Sequence, residues 1–483
     1  MLNKGNSIRK VLINTYVIIL LVLLFRLFSN FFLNFPLHYD EAQYWSWSKQ
    51  LEWGYYSKPP FLAWLINMNV FMCGDEESCL RLFSPLMHSI TCIIIIYSSY
   101  CLLKDINVSI FSGALYLLMP GVTFSSFFIS TDVPLLLFSA LTALSLIKII
   151  QSNFKNIKYY LIFAVAISLG ILSKYAMLYL FFSIIFASFF SNKIKKLVLN
   201  YNFLISLIVI IAFISPHIIW NMKNSFVTFN HTFDNANTSN LKINILEPVI
   251  FFISQFFVFG IFPLLFIFIK FIKNQNNKIL NEEQKILLFL FISPIVLITF
   301  LALFSRANAN WAVVGYPFGC LFLGTLVNKK NRFFITASSL FNQLFFSFII
   351  IFIIFSKHQN FNPMNKWNFV VPLSEEIRKE ILSRKNIGFI SDDREDYSHM
   401  LYYLRDLQVP KAKWNGDKKI NDHFELTTDT ADLSGYDIIL LTRTEPTLTM
   451  KKNSSNSLKI KSLSFRVNKK IRKYNIYLLS DWK

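Results

Sequence analysis

The sequence predicts a polytopic α-helical membrane protein of about eleven spans, followed by a small α/β domain on the outer side. Three observations carry that prediction. Of 483 residues, 54% are hydrophobic, 17% aromatic and only 16% charged, a balance that suits helices in lipid rather than a water-soluble enzyme. Apolar blocks long enough to cross a hydrocarbon core of about 30 Å recur until about residue 355. Beyond that point the composition changes and strand-like runs replace the long apolar blocks.

The first block, about 11–33, follows Lys4, Arg9 and Lys10, which places the N-terminus in the cytoplasm. No small-residue cleavage site follows it, so it is expected to stay as a signal anchor. Further spans are expected at about 82–103, 107–127, 133–150, 159–173, 176–191, 198–219, 248–269, 286–304, 312–327 and 333–355. Under this alternation seventeen Lys and Arg face the cytoplasm, from Lys4 to Arg332 and including Lys278. The outer loops hold seven: Lys49, Lys58, Arg81, Lys174, Lys223, Lys242 and Arg306. That asymmetry supports the orientation, because cytoplasmic loops retain Lys and Arg. It also accounts for the net charge of +20, so membrane lipids are expected as partners and nucleic acid is not.

An odd number of spans puts residues 356–483 outside, giving a transmembrane domain at 1–355 and an extracytoplasmic domain at 356–483. Strands are expected at 386–390 (NIGFI), 436–441 (YDIILL), 462–467 (SLSFRV) and 475–479 (NIYLL), with a helix at about 394–407. No nucleophile, phosphate loop or metal motif stands out there, so its expected role is a cap or an acceptor-docking surface. The five cysteines form no metal-ligand pattern with the seven histidines. Cys73 and Cys79 flank the polar stretch GDEES on the outer side, where both a small disulfide loop and free thiols stay open.

Polar residues among spans are costly and mark function, and they are densest in the first external loop, 34–81. Its aromatics, including Tyr44, Trp45, Trp47, Trp53, Tyr55, Tyr56 and Trp64, suit an interfacial segment lying along the outer membrane surface. Asp40 and Glu41 stand near the outer end of the first span. Adjacent carboxylates point about 100° apart on a helix, so one can act as general base while the other orients a helix or binds a cation. The alternative is Asp40 capping the helix AQYWSW.

The string DEAQYWSWSKQLEWGYYSKPPFLAWL resembles the first external loop of bacterial glycosyltransferase family 39 enzymes. These are GT-C membrane glycosyltransferases related to protein O-mannosyltransferases and to the aminoarabinose transferase of lipid A. STDVPLLLF (130–138), GILSKYAML (170–178), SPHIIWNMKNSFVTF (215–229) and NANWAVVGYP (308–317) resemble the family's later motifs, in order. The tail segment SDDREDYSHMLYYL (391–404) faintly resembles its external domain. The resemblance implies a GT-C fold and inverting transfer of a sugar from a polyprenyl-phosphate donor. The acceptor would be lipid A, core oligosaccharide, another glycan or a protein, on the outer face of a bacterial inner membrane.

By the same resemblance Asp40 is the catalytic base, with Glu41 beside it. Lys58 in SKPP is the leading cation for the donor phosphate, where many family members carry His; Arg81, Lys174 and Arg306 are further cations on the outer side. Each has an alternative as a snorkelling interfacial anchor. Asp132 holds one of these cations or caps its own helix. Tyr44, Tyr175, Trp220, Asn221, Asn310 and Trp311 are supporting residues for sugar or phosphate, and His38 tunes Asp40 electrostatically. His88, His217 and His231 are given no role. No cofactor is expected; a divalent ion at Asp40 and Glu41 is the alternative to Lys58 as the source of positive charge. The competing function is a transporter or flippase of lipid-linked sugars, against which stand the absence of a repeat and the clustering of charges at outer span ends.

Overall fold

Backbone N–H and C=O groups in lipid must bond within their own segment, and every one of the eleven apolar blocks contains helix. The computed structural model describes residues 2–33, 35–235, 243–273, 280–355, 367–467 and 470–483. Lys242, Lys278 and the chain just past the expected boundary at 355 lie outside the described residues. In chain order the helices are α1 (Leu2–Leu33), α2 (Tyr39–Lys49), α3 (Phe61–Cys73), α4 (Glu77–Leu80), α5 (Phe83–Leu103), α6 (Ile106–Leu117), α7 (Pro120–Ser125), α8 (Asp132–Gln151), α9 (Ile157–Ser173) and α10 (Met177–Ala187). They continue as α11 (Asn192–Val198), α12 (Tyr201–Lys223), α13 (Val227–Asn235), α14 (Leu246–Phe259), α15 (Ile261–Lys273), α16 (Glu282–Leu301), a 3-10 helix (Ala309–Gly315), α17 (Tyr316–Leu326) and α18 (Lys329–Phe355).

Among the described residues six helices are long and apolar enough to cross a membrane, and eight if each of two bent pairs is one span. The block expected as a single span at 248–269 is one such pair, with α14 and α15 bent by 110°. Gly260, at φ +121°, ends α14 in a conformation that residues with a Cβ avoid. The block at 107–127 is also divided. There α6 ends at Leu117 and Pro120 opens α7, a position where a missing N–H leaves no helix bond unmade.

The chain forms two compact units: Met1–Phe32, Lys58–Leu62 and Arg81–Ile351 make one, and Leu33–Ser57, Ala63–Leu80 and Phe352–Lys483 the other. Most of the first external loop therefore groups with the C-terminal part, whereas a linear division at 355 assigns it to the spans. In the first unit α5, α6, α8 and α9 pack around Leu115, Tyr116, Leu135 and Phe163. Gly315 lets the 3-10 helix meet α16, since a Cβ there would stand 2.7 Å from the Phe291 carbonyl oxygen. Arg26 of α1 is buried and donates to the Leu117 carbonyl at 2.7 Å and to Thr123 Oγ1 at 3.2 Å. Its charge thus meets the negative C-terminal end of α6.

The second unit carries a five-stranded sheet of order β2-β1-β3-β5-β4, with β1 at Ile387–Ser391, β2 at Lys411–Lys413, β3 at Asp437–Thr442, β4 at Asn456–Val467 and β5 at Lys470–Ser480. β1 runs parallel to β2 and β3, and β5 antiparallel to β3 and β4. All four expected strand runs are strands; β2 is too short to show a period. Two helices, α19 (Val370–Leu382) and α20 (Arg394–Tyr403), share a core with the sheet through Leu373, Ile377, Tyr397 and Met400 against Phe389, Ile439 and Ile476. The helix expected to reach 407 ends at Tyr403.

Candidate active site

In the second unit α2 begins with a capping box built from His38 and Glu41. The Asp40 N–H donates to His38 Nδ1 at 3.2 Å, and the His38 N–H donates to Glu41 Oε2 at 3.0 Å. The helix cap is therefore His38, not Asp40. Glu41 is 2% exposed and spends an oxygen on the helix terminus, so its place is to orient α2. Because His38 Nδ1 accepts a backbone N–H it carries a lone pair, and its 3.6 Å approach to Asp40 Oδ2 is not a salt bridge in that state. Asp40, turned about 100° away from Glu41, keeps a side chain that is 39% exposed.

The partner of Asp40 comes from far along the sequence. Arg394 Nη1 donates to Asp40 Oδ1 at 3.3 Å and to Gln43 Oε1 at 2.5 Å, and its guanidinium stands 4.9 Å from the centre of the Tyr39 ring. Burial works against the Arg394 charge, but Asp40 and Tyr39 outweigh it and raise its pKa above the usual value. Sequence reasoning gave Arg394 no role. A visible signal was its place in the first turn of a helix, where a cation opposes the helix dipole.

The rest of α20 stitches the loop in place. Leu37 N–H donates to Tyr403 Oη at 3.0 Å, the Leu37 carbonyl pairs with His399 Nε2 at 3.1 Å, and Tyr402 Oη donates to the Asp75 carbonyl at 2.7 Å. Asp75 in turn accepts from Trp45 Nε1 and Lys49 Nζ, both at 2.6 Å. Burial pushes the Asp75 carboxyl up, but these two donors outweigh it and hold its pKa below the ordinary range. Cys73 and Cys79 are joined in a disulfide, which closes the loop that presents Asp75. The aromatics expected along the membrane surface divide into two sets. Trp45, Trp47 and Tyr55 are buried, Trp47 and Tyr55 stack at 4.6 Å with Tyr44 at the edge of their cluster, and Trp53 is exposed. The stacked pair fills a protein interior instead of anchoring at headgroups.

His399 gives this unit a pH dependence. Burial pushes its pKa down to about 3, partly opposed by the Leu37 carbonyl. Below about 6.5 the unfolded chain takes up a proton that the folded unit refuses, so stability is lost as pH falls from about 6.5 towards 3, by up to about 1.4 kcal/mol per pH unit. Asp396, whose carboxyl burial pushes up against the pull of Arg443, works in the opposite direction. The contribution of His399 is therefore read by difference. His399→Gln, which can still donate to Leu37, is expected to lose less stability on acidification than the wild type in urea unfolding at pH 7 and pH 5; parallel curves would remove His399 as the cause.

In the first unit four of the motif segments converge. Asp132, at the start of α8, pairs with Lys174 Nζ at 2.6 Å through Oδ1 and accepts from Asn310 Nδ2 at 2.5 Å and Ser130 Oγ at 3.2 Å through Oδ2. Of its two expected roles, Asp132 thus fills that of holding a cation. Beside Lys174, Tyr175 Oη meets His217 Nε2 at 2.6 Å and stacks on Phe229 at 5.2 Å, and the buried Asn221 amide lies 3.3 Å from His217 Nε2. His217, given no role from the sequence, is the link between two expected site residues.

The other expected residues are placed as follows. Lys58 is partly exposed in the turn before α3, and Trp220 is partly exposed on α12. Trp311 packs on the core of the first unit. Arg306 is exposed between α16 and the 3-10 helix. Arg81 is 1% exposed, which rules out snorkelling, since that needs the charged head in water. Among the described residues no group of three His, Cys, Asp or Glu is arranged to hold a metal ion.

Comparison with known proteins places this architecture. The family model described as dolichyl-phosphate-mannose-protein mannosyltransferase matches residues 57–220. The lipid A galacturonosyltransferase RgtD of Rhizobium johnstonii is 29% identical over 413 residues, 80% of this chain and 82% of that protein. ArnT from Cupriavidus metallidurans superposes in its apo state with a TM-score of 0.61 at 12% identity, covering 98% of both chains. The same protein bound to undecaprenyl phosphate gives 0.63 at 12% identity, over 96% of this chain and 97% of that one. The fold is that of the GT-C enzymes.

Proposed function

We propose that this chain, a GT-C membrane glycosyltransferase related to the dolichyl-phosphate-mannose-protein mannosyltransferases, moves a sugar from undecaprenyl phosphate onto a lipid A-type acceptor. The observation that carries this reading is the relation to a lipid A glycosyltransferase over four-fifths of both chains. Similarity to enzymes along that length argues against a transporter or flippase. The reaction belongs on the outer face of a bacterial inner membrane, with the N-terminus cytoplasmic and the C-terminal unit outside, as the distribution of Lys and Arg suggests.

In this reading Asp40 accepts the proton of an acceptor hydroxyl as that oxygen attacks the anomeric carbon. The bond from that carbon to the phosphate oxygen breaks on the opposite side, with inversion, and its electron pair leaves with the lipid phosphate. Positive charge must meet the phosphate as it departs. Lys58 leads by its place in the SKPP stretch that matches the family's first external loop, and Lys174 is paired with Asp132. Glu41 is committed to the helix cap, so the carboxylate pair turns one carboxylate outward instead of two. That donor set does not suit a divalent ion, and the reaction proposed here runs on Lys58. An apolar cavity of about 720 Å³ between α14, α15 and α16, lined by Phe252, Phe256, Phe268, Phe291 and Ile295, suits the donor's polyprenyl chain.

The test compares a deletion strain with the same strain carrying the wild type, by mass spectrometry of lipid A, core glycan and polyprenyl-phosphate lipids. The expected result is an acceptor lacking one sugar, accumulation of its lipid-linked donor, and restoration by the wild type. Unchanged glycolipids in the deletion strain would sink the proposal. Lys58→Ala is expected to lower transfer roughly 10²-fold, chiefly through donor use, and Lys58→His to recover part of it below pH 6.5. A His variant no better than Ala would take Lys58 off the phosphate.

A further inference from the structure

We propose that Arg394 is a positioning residue for the transfer, fixing the direction of the Asp40 carboxylate, so that the C-terminal unit completes the catalytic base rather than merely capping it. The inference rests on Asp40 being that base.

The geometry separates a rigid support from an open end. Gln43 is buried and fixes Nη1 at 2.5 Å, while the Tyr39 ring lies against the guanidinium. Tyr39, Asp40 and Gln43 sit at neighbouring positions of α2, and its start is held by the His38–Glu41 capping box. From that support the same Nη1 reaches Asp40 Oδ1 at 3.3 Å. Oδ2 accepts no side-chain N–H among the described residues, since His38 Nδ1 at 3.6 Å presents a lone pair, and it stays available for an acceptor proton. A carboxylate held through one oxygen with the other open is what a base needs, since misplacement by about 1 Å can cost a catalysed step on the order of 10²-fold.

Arg394 contributes nothing evident to its own helix. It is the first residue of α20, where Asp393 caps the helix and Glu395 and Asp396 already complement the positive end. A cation in that turn is a local conflict, and such conflicts mark function more often than stability. Arg443 shows the contrast within the same unit: it pairs with Asp393, Glu395 and Asp396 together and so does the architectural work around that turn.

The experiment measures kcat and donor KM for the full-length protein carrying Arg394→Ala, Arg394→Met or Arg394→Lys, using the donor and acceptor that the deletion strain identifies. Arg394→Ala is expected to lower kcat roughly 10²-fold with donor KM little changed. Added methylguanidinium should restore part of the rate in the Ala variant alone, and Lys should exceed Met. Met keeps the apolar stem on Tyr39 and guards against a folding defect. A wild-type kcat in all three variants overturns the proposal, as does a loss that tracks a lower unfolding temperature and resists rescue. If Asp40→Asn is inactive while Arg394→Ala is not, only this inference fails; if Asp40→Asn is fully active, the base assignment fails first.

Discussion

Asp40→Asn is expected to lower sugar transfer at least 10²- to 10⁴-fold, the scale of a lost general base, while leaving the protein folded and inserted. The replacement keeps the shape of the side chain and an oxygen that can still accept from Arg394 Nη1, so the tie between α2 and α20 is preserved. The helix start is untouched, because the cap uses the His38 ring, the Asp40 backbone N–H and the Glu41 carboxylate, none of which the substitution alters. What is lost is the ability to take a proton. Glu41 cannot stand in, being buried and bonded to the His38 N–H. Transfer is followed by mass spectrometry of the acceptor in the complemented deletion strain, and protein level and unfolding temperature are measured alongside. Transfer within a few-fold of wild type would remove Asp40 as the base.

Legibility of this protein in its sequence follows the range of each interaction. The apolar blocks and the strand runs in the C-terminal unit depend on local period and composition, so YDIILL and NIYLL read directly as the paired strands β3 and β5. The division of the block at 248–269 was harder, because an apolar count passes over Gly260 although its backbone requires the bend. The capping box shows the same limit at a range of two residues: an Asp before a helix suggested the cap, yet His38, two positions earlier, holds it. Contacts across long separations were out of reach. Asp132 meets Asn310 across 178 residues and Asp40 meets Arg394 across 354, and no local pattern encodes either pairing. The ordered motifs marked the segments on both sides of each contact, the 391–404 stretch only faintly, while the parts played by His217 and Arg394 became visible only when those segments were brought together.

The Asp132–Lys174 pair should produce the largest stability effect. With side chains 9% and 14% exposed, neither group can fall back on bulk water when its partner is removed. Asp132→Asn leaves the Lys174 ammonium facing an amide and is expected to cost about 3–5 kcal/mol, the penalty for an uncompensated buried charge. Lys174→Met leaves the Asp132 carboxylate, among the described residues, with only the Asn310 and Ser130 side chains as donors and should cost a similar amount. The double variant removes both charges, so most of the stability should return, and a thermal-unfolding cycle in detergent over the four proteins gives the coupling directly. Additive losses would show that the pair is not the source of stability. Activity separates the two functions of Lys174. If it also meets the donor phosphate, as its place beside Tyr175 and Asn221 suggests, the double variant regains its unfolding temperature but not its transfer rate. Recovery of both would confine Lys174 to holding α8 and α9 together, with Lys58 left to carry the phosphate.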